Sequence, residues 1–144
     1  MAESNDWWTS PTESESGRLI MVTGRRDVAA FRNNPRFDKR VEVTWRYDEA
    51  DASGMPDLKT SELMEQVQDA LQATFTKDPV AVLTGIYTGD GERNWVFYTL
   101  SLHIFQKKLN EALAGFDMLP LTFHAEEDPG WEEYSEMKEI SEIN

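Results

Sequence analysis

Residues 80–100 read VAVLTGIYTGDGERNWVFYTL, two apolar runs separated by a short turn. At the centre of this stretch stands Asp90-Gly91, a pair that favours the positive φ angles of a two-residue type I′ turn between antiparallel strands. The stretch therefore predicts a β-hairpin, and its turn length fixes the strand register. The predicted cross-strand pairs are Ile86 with Trp95, Thr84 with Phe97, and Leu83 with Tyr98.

Both faces of the second hairpin strand are apolar, since Trp95 and Phe97 point one way while Tyr98 and its apolar neighbours point the other. In a two-layer fold only one sheet face meets the helices, so something must cover the second face. The candidates are an N-terminal hairpin carrying Trp7 and Trp8, a second subunit, or a ligand. Left bare, the face would be an association site.

Other segments supply the remaining elements. RVEVTWRY (40–47) alternates as a half-buried strand, and MLPLTFHA (118–125) predicts a short final strand. Helical spacing marks TSELMEQVQDALQATF (60–75), with Thr60 or Ser61 as N-cap, and SLHIFQKKLNEALAGF (101–116). DEADASGMPD (48–57) is predicted to be a loop.

The order strand, helix, strand, strand, helix, strand predicts an α+β fold, a ferredoxin-like β-α-β-β-α-β two-layer sandwich with both helices on one sheet face. DWWTSPTE and RLIMVTGR (within 6–25) predict an extra N-terminal hairpin. We expect one domain over residues 1–144. Its parts are the hairpin extension in 1–38, the ferredoxin-like core in 39–126, and an acidic segment with a short helix in 127–144.

Composition limits the classes of function. The chain has 144 residues and a net charge of −13, which disfavours nucleic-acid partners. It has no cysteine, which excludes disulfides and thiol catalysis. No apolar run reaches the ~18 residues of a membrane span. The first residues, MAESNDWW, lack the basic and apolar regions of a signal peptide, so we expect a cytoplasmic protein.

The charge is unevenly distributed. Residues 25–46 carry half of the 14 basic residues, whereas residues 126–142 carry eight acids and only Lys138 as a base. Two solvated faces of opposite sign would explain this. A basic patch that binds an acidic partner, or the protein's own C-terminal segment, would also explain it.

Catalytic patterns are scarce. There is no nucleophile elbow and no phosphate-binding loop, and RNWVFYTL (93–100) matches the RNA-recognition signature poorly. His124 precedes three acids, Glu126, Glu127 and Asp128, which is a possible metal-ligand set. A capping and surface role explains the same residues without a metal. No cofactor is expected.

The segment EEDPGWEEYSEM (126–137) combines acids with aromatic residues. Asp128 can cap the segment that follows the Pro129-Gly130 turn. Trp131 and Tyr134, three residues apart, share one helical face. Large aromatics on an acidic helix serve most simply as anchors onto the domain, with the carboxylates pointing outward.

Two motifs together carry a family resemblance. The hairpin residues Thr88, Gly89, Arg93, Phe97 and Tyr98, followed by Asp128, Pro129, Trp131 and Tyr134, resemble the pattern of a bacterial family catalogued as domain of unknown function 695. The loop Gly54-Met55-Pro56 and the early Trp7-Trp8 suit the same pattern. The resemblance implies no activity. The fold it implies is similar to that of the protein inhibitor regulator of ribonuclease E activity B, which favours a protein-binding regulator.

These observations favour a non-enzymatic domain whose partner is another protein or a second copy of itself. Excess aromatic area without a catalytic constellation is typical of a binding surface. The expected binding residues are Trp8, Arg93, Trp95, Tyr98, Asp128, Trp131 and Tyr134. The alternative is a small-molecule-binding or hydrolytic enzyme in which Arg93 holds an anion and Glu126, Glu127 or Asp128 acts as base.

Overall fold

The computed structural model describes residues 7–48 and 53–143, with side chains to residue 140. Residues 49–52 of the predicted loop, and the residues before Trp7, lie outside this part. The described chain forms strands β1 (Trp7–Glu13), β2 (Leu19–Arg25), β3 (Lys39–Arg46), β4 (Ala81–Gly89), β5 (Glu92–Thr99) and β6 (Leu121–Glu127). Its helices are α1 (Ala29–Arg32), α2 (Leu58–Lys77), α3 (Leu102–Leu113) and α4 (Glu132–Ile143).

The strands form one antiparallel sheet in the order β1-β2-β4-β5-β3-β6. The α+β class and the N-terminal hairpin are thus confirmed. The sheet order differs, however, from the four-stranded ferredoxin-like sheet that the sequence predicted. The difference arises because β2 pairs with β4 along Gly85–Gly89, so the hairpin continues the sheet instead of packing on its face.

The central hairpin turns at Asp90-Gly91, with φ angles of 53° and 83° that fit the predicted type I′ turn. The pairing of Ile86 with Trp95 is confirmed. Beyond it the predicted register is wrong, because a β-bulge makes Thr84 an extra residue whose hydroxyl donates to the Val96 carbonyl at 3.2 Å. The observed pairs there are Leu83 with Phe97 and Val82 with Tyr98.

Helices α2 and α3 cover one sheet face. Phe97 of β5 contacts Phe75 of α2 and Phe105 of α3, with ring centroids 5.4 and 5.1 Å apart. Helix α2 begins earlier than predicted, since its N-cap is Asp57, whose carboxylate accepts from the Thr60 amide at 2.7 Å. The extra turn adds Leu58, 76% exposed, at the start of the helix.

The second sheet face is covered by the chain itself. A hydrophobic cluster on this face joins Tyr98 to Trp131, Tyr134 and Met137 from the C-terminal segment. The N-terminal hairpin contributes Trp8 to the cluster but does not cover the face, because it lies in the plane of the sheet. Helix α4 is therefore the cover that the two-sided apolar strand β5 requires.

Close packing of Trp8 on β2 leads to a first prediction. A Cβ at Gly24 would lie 2.4 Å from two carbons of the Trp8 ring. Because a buried ring cannot move without disturbing its neighbours, Gly24→Ala should lower the free energy of unfolding by about 1–3 kcal/mol. Urea unfolding followed by tryptophan fluorescence measures this change. Gly115→Ala is the control, since no atom lies within 4 Å of its Cβ position. Equal stability of the two variants would contradict this account of the packing.

Candidate functional site

Asp128 fixes the turn that leads into α4. Its oxygens accept from the amides of Glu132 at 2.9 Å and Glu133 at 3.1 Å, and from the Tyr98 hydroxyl at 2.6 Å. Burial raises the pKa of Asp128, but these hydrogen bonds outweigh it and leave the pKa below the ordinary value of 3.8. The predicted cap is confirmed, and it also satisfies a buried tyrosine.

Two aromatic residues attach α4 to the sheet. Trp131 stacks on Tyr98 with ring centroids 4.0 Å apart and planes 13° from parallel, and its Nε1 donates to the Phe37 carbonyl at 2.7 Å. Tyr134 donates its hydroxyl to the carbonyl of Arg25. Both rings are 1% exposed, so the predicted anchoring role is confirmed.

The predicted binding surface around these residues is closed in the folded chain. Tyr98 and Trp95 are fully buried on opposite sheet faces, and Trp95 donates its Nε1 to Gln68 of α2 at 2.9 Å. Trp8 is covered by its packing on Gly24. Of the seven predicted residues, only Arg93 is half-buried and the others are buried. They form the interior of the domain, so a partner cannot reach them as a group.

Arg93 does not meet the acidic residues that the enzyme alternative requires. It lies opposite Trp45 on β3 and donates from Nε to the Thr88 hydroxyl at 2.8 Å, on the face covered by α2. Glu126 and Glu127 pair with the other end of β3. Asp128 contacts Tyr98 on the opposite sheet face. Among the described residues, Arg93 therefore lies apart from Glu126, Glu127 and Asp128.

A charged cluster lies beside α4 instead. Arg40, 9% exposed, pairs with Glu126 and, at 3.5 Å, with Glu42. Tyr87 donates its hydroxyl to one oxygen of Glu133 at 2.5 Å, while the other Glu133 oxygen is buried without a partner among the described residues. Burial raises the pKa of Glu133, against the opposing charge of Arg40. The uneven charge of the sequence indicated that the basic stretch could meet the acidic C-terminal segment, but it did not indicate which residues, because the cluster draws on β3, β4, β6 and α4.

His124 is exposed, and its Nε2 lies 3.7 Å from Glu126. In the described part of the chain, no group of three histidine, aspartate or glutamate side chains is placed to hold a metal ion. Among the described helices, none combines the length and the apolar character needed to cross a membrane.

An accessible apolar surface lies at the β6 end of the sheet. Helix α3 packs Phe105 against Phe97 of β5, two strands in from β6, and so leaves the Phe123 ring 52% exposed. Beside it is a cavity of about 210 Å³. We call this the β6 groove, and its lining residues are Val41, Leu102, Phe105, Gln106, Leu109, Phe123 and Ala125. The alternation of MLPLTFHA indicated a strand but not how far α3 would cover it.

The fold and this surface define a class: an α+β domain whose central strands are covered on both faces by its own helices and whose terminal strand β6 is left exposed by the described residues. The chain belongs to the family of unknown function DUF695, whose model matches residues 6–137. The resemblance read from the hairpin and the Asp-Pro-Gly-Trp motif is thus confirmed. Comparison with curated proteins and with solved structures gave no match.

The contacts of Asp128 predict a stability series. Asp128→Ala removes the α4 cap and leaves the buried Tyr98 hydroxyl unpaired, which should cost about 2–4 kcal/mol in the free energy of unfolding. Tyr98→Phe should cost less, about 1–2 kcal/mol, because the cap remains. Asp128→Asn should lie between the native chain and Asp128→Ala, because its single oxygen can keep part of the helix cap while its amide nitrogen cannot accept the bonds made by the second carboxylate oxygen. Equilibrium urea unfolding of the four proteins measures the series, and an Asn variant as unstable as the Ala variant would contradict it.

The buried carboxylate of Glu133 predicts a pH dependence. Its pKa is higher in the folded chain than its ordinary 4.5, so the folded state binds this proton more tightly. Its charge therefore destabilises the fold increasingly as pH rises from the unfolded pKa through the folded one. Glu133→Gln should raise the free energy of unfolding at pH 7, and the gain should vanish below about pH 4.5.

Urea midpoints between pH 3.5 and pH 8 test this prediction. Glu136→Gln, an exposed site on the same helix, removes the same formal charge and is the control. The charged and titratable groups facing Glu133 are Arg40 and Glu42 on β3, Tyr87 on β4 and Asp128 at the start of α4. A Glu133→Gln variant less stable than the native chain at pH 7 would show that the Arg40 interaction outweighs burial.

Proposed function

We propose that this protein is a non-enzymatic domain that binds an extended segment of another protein along β6. The observation that carries the proposal is the half-exposed Phe123 ring on the terminal strand of the sheet, next to the β6 groove. A large exposed ring at such an edge is an aggregation hazard unless a partner covers it. A bound partner segment would bury the Phe123 ring.

Strand addition is the mode that suits this site. Among the described strands β6 is the last in the order and pairs only with β3, so on its other side alternate N–H and C=O groups point outward. A partner strand would form backbone hydrogen bonds there, while the groove would accept one apolar side chain. Affinity would come from the main chain and selectivity from the groove.

Charge indicates the composition of the partner segment. His124 and Glu126 point away from the groove side, Glu127 ends the strand, and the chain has a net charge of −13. A segment that alternates apolar residues with lysine or arginine would complement both faces. A nucleic acid would be repelled, as the composition predicted.

The architecture supports the same function through analogy of fold. We interpret the run β6-β3-β5-β4 with helices α2 and α3, within the six-stranded sheet, as a ferredoxin-like core to which a hairpin has been added. The resemblance to the small acidic inhibitor regulator of ribonuclease E activity B favours a protein-binding regulator, which a cytoplasmic location would suit. Because unrelated functions share one fold, the exposed strand β6, not the architecture, carries the proposal.

Selection of peptides from a random library tests the proposal. The native chain should enrich strand-forming peptides with alternating apolar and basic residues. NMR shift changes on binding should concentrate in residues 102–109 and 121–127. Phe123→Lys should weaken binding at least about tenfold, by loss of the apolar contact. Leu58→Lys, a more exposed leucine on α2, is the control and should bind as the native chain does.

Two results would redirect the proposal. Shift changes that map away from β6 and α3, or equal binding by the two lysine variants, would show that the groove is not the site. A doubled mass in light scattering that Phe123→Lys reduces to one chain would instead identify a second copy as the occupant of the β6 edge.

A further inference from the structure

A second opening lies at the opposite side of the sheet. Strand β2 pairs with β4 only along Gly85–Gly89, because after Arg25 the chain leaves the sheet to form α1. Residues Ala81–Leu83 therefore have β5 on one side and no strand of the described chain on the other. A cavity of about 210 Å³ occupies this position, which we call the β4 notch.

The walls of the β4 notch are largely aromatic. Trp7 enters from β1, Phe31 from α1 and Phe75 from α2. Phe31 belongs to the cluster under α4, whereas Phe75 belongs to the core under α2, so the notch passes the sheet edge between the two layers. Trp7 and Phe31 are only half-buried, which leaves the notch open to solvent.

One cation is fixed at this site. Arg25 lines the notch with its side chain 19% exposed, its guanidinium carbon 5.5 Å from the centroid of the Trp7 ring and its Nε 3.1 Å from Asp27. These contacts use Nε and the guanidinium face. Within the described chain they leave the terminal nitrogens available as paired donors, the arrangement that a carboxylate accepts. No described side chain lining the notch is acidic.

Backbone groups add a second recognition element. Along an unpaired strand edge, alternate N–H and C=O groups point outward, and Ala81–Leu83 present such an edge to the notch. Gln72 and Thr76 of α2 contribute the other polar side chains. The notch thus combines apolar walls with a few convergent polar groups, the usual character of a small-molecule site.

We propose that the β4 notch binds a small organic acid: a carboxylate held by Arg25, carrying an aromatic or branched apolar body between Phe31 and Phe75. A cavity of about 150 Å³ holds benzene, so the notch has room for a ring and a short acidic arm. A divalent cation would meet no acidic ligand there. A free phosphate would pair with Arg25 but would leave the apolar space between Phe31 and Phe75 unfilled.

Titration of the full chain with 3-phenylpropionate tests this site. Calorimetry and tryptophan fluorescence should give saturable binding at least about tenfold tighter than that of 3-phenylpropionamide, because only the acid pairs with Arg25. Arg25→Gln should abolish the preference for the acid. Arg46→Gln, which removes the same charge at the exposed end of β3, should keep it. Circular dichroism confirms that each variant is folded.

A second variant separates the notch from a general effect of charge. Gln72→Trp should fill the cavity and block the acid while Arg25 remains. Binding that persists in this variant, equal affinity for acid and amide, or an unchanged Arg25→Gln variant would overturn the assignment. Tighter binding of a tripeptide ending in phenylalanine than of the free acid would assign the site to peptide C-termini. The β6 groove takes no part in these measurements, so either proposal can fail alone.

Discussion

The stack of Trp131 on Tyr98, held by Asp128, is the interaction on which the rest of this structure depends. Strand β5 is apolar on both faces, while α2 and α3 cover only one of them. Each large side chain that α4 buries contributes about 1.5–3 kcal/mol, and the aromatic stack adds a further fraction. Without α4, the face of β5 that carries Tyr98 would be exposed to solvent. The acidic C-terminal segment is therefore part of the domain's core.

Because both faces of β5 are buried, the cavities that remain accessible lie towards the edges of the sheet. The β6 groove exists because α3 packs two strands inward, and the β4 notch exists because β2 leaves the sheet before β4 ends. Both openings combine unpaired backbone with apolar side chains. They lie at opposite sides of the sheet, so a peptide on one and a small acid on the other would not compete for space.

The uneven charge of the sequence has a structural consequence of the same kind. Arg40 pairs with Glu126, and Arg32 donates to Ser135 at 2.6 Å while lying 5.4 Å from the Tyr134 ring. Part of the basic stretch thus contacts the protein's own C-terminal segment, one of the explanations that composition left open. The packing of α4 also buries the carboxylate of Glu133. Burial raises its pKa, so its charged form destabilises the fold.

The sequence predicts the local elements, because the Asp90-Gly91 turn, the amphipathic helices and the Asp128 cap all follow from short-range preferences. It also predicts that β5 needs a cover on each face. Long-range packing, in contrast, makes α4 the second cover, places Thr84 in a bulge and lets the hairpin extend the sheet. The β4 notch follows from where the pairing of β2 with β4 stops, and the β6 groove from the position of α3 on the sheet. Periodicity reports which side of an element is apolar, whereas the partner it meets, and where pairing stops, depend on contacts between residues far apart in the chain.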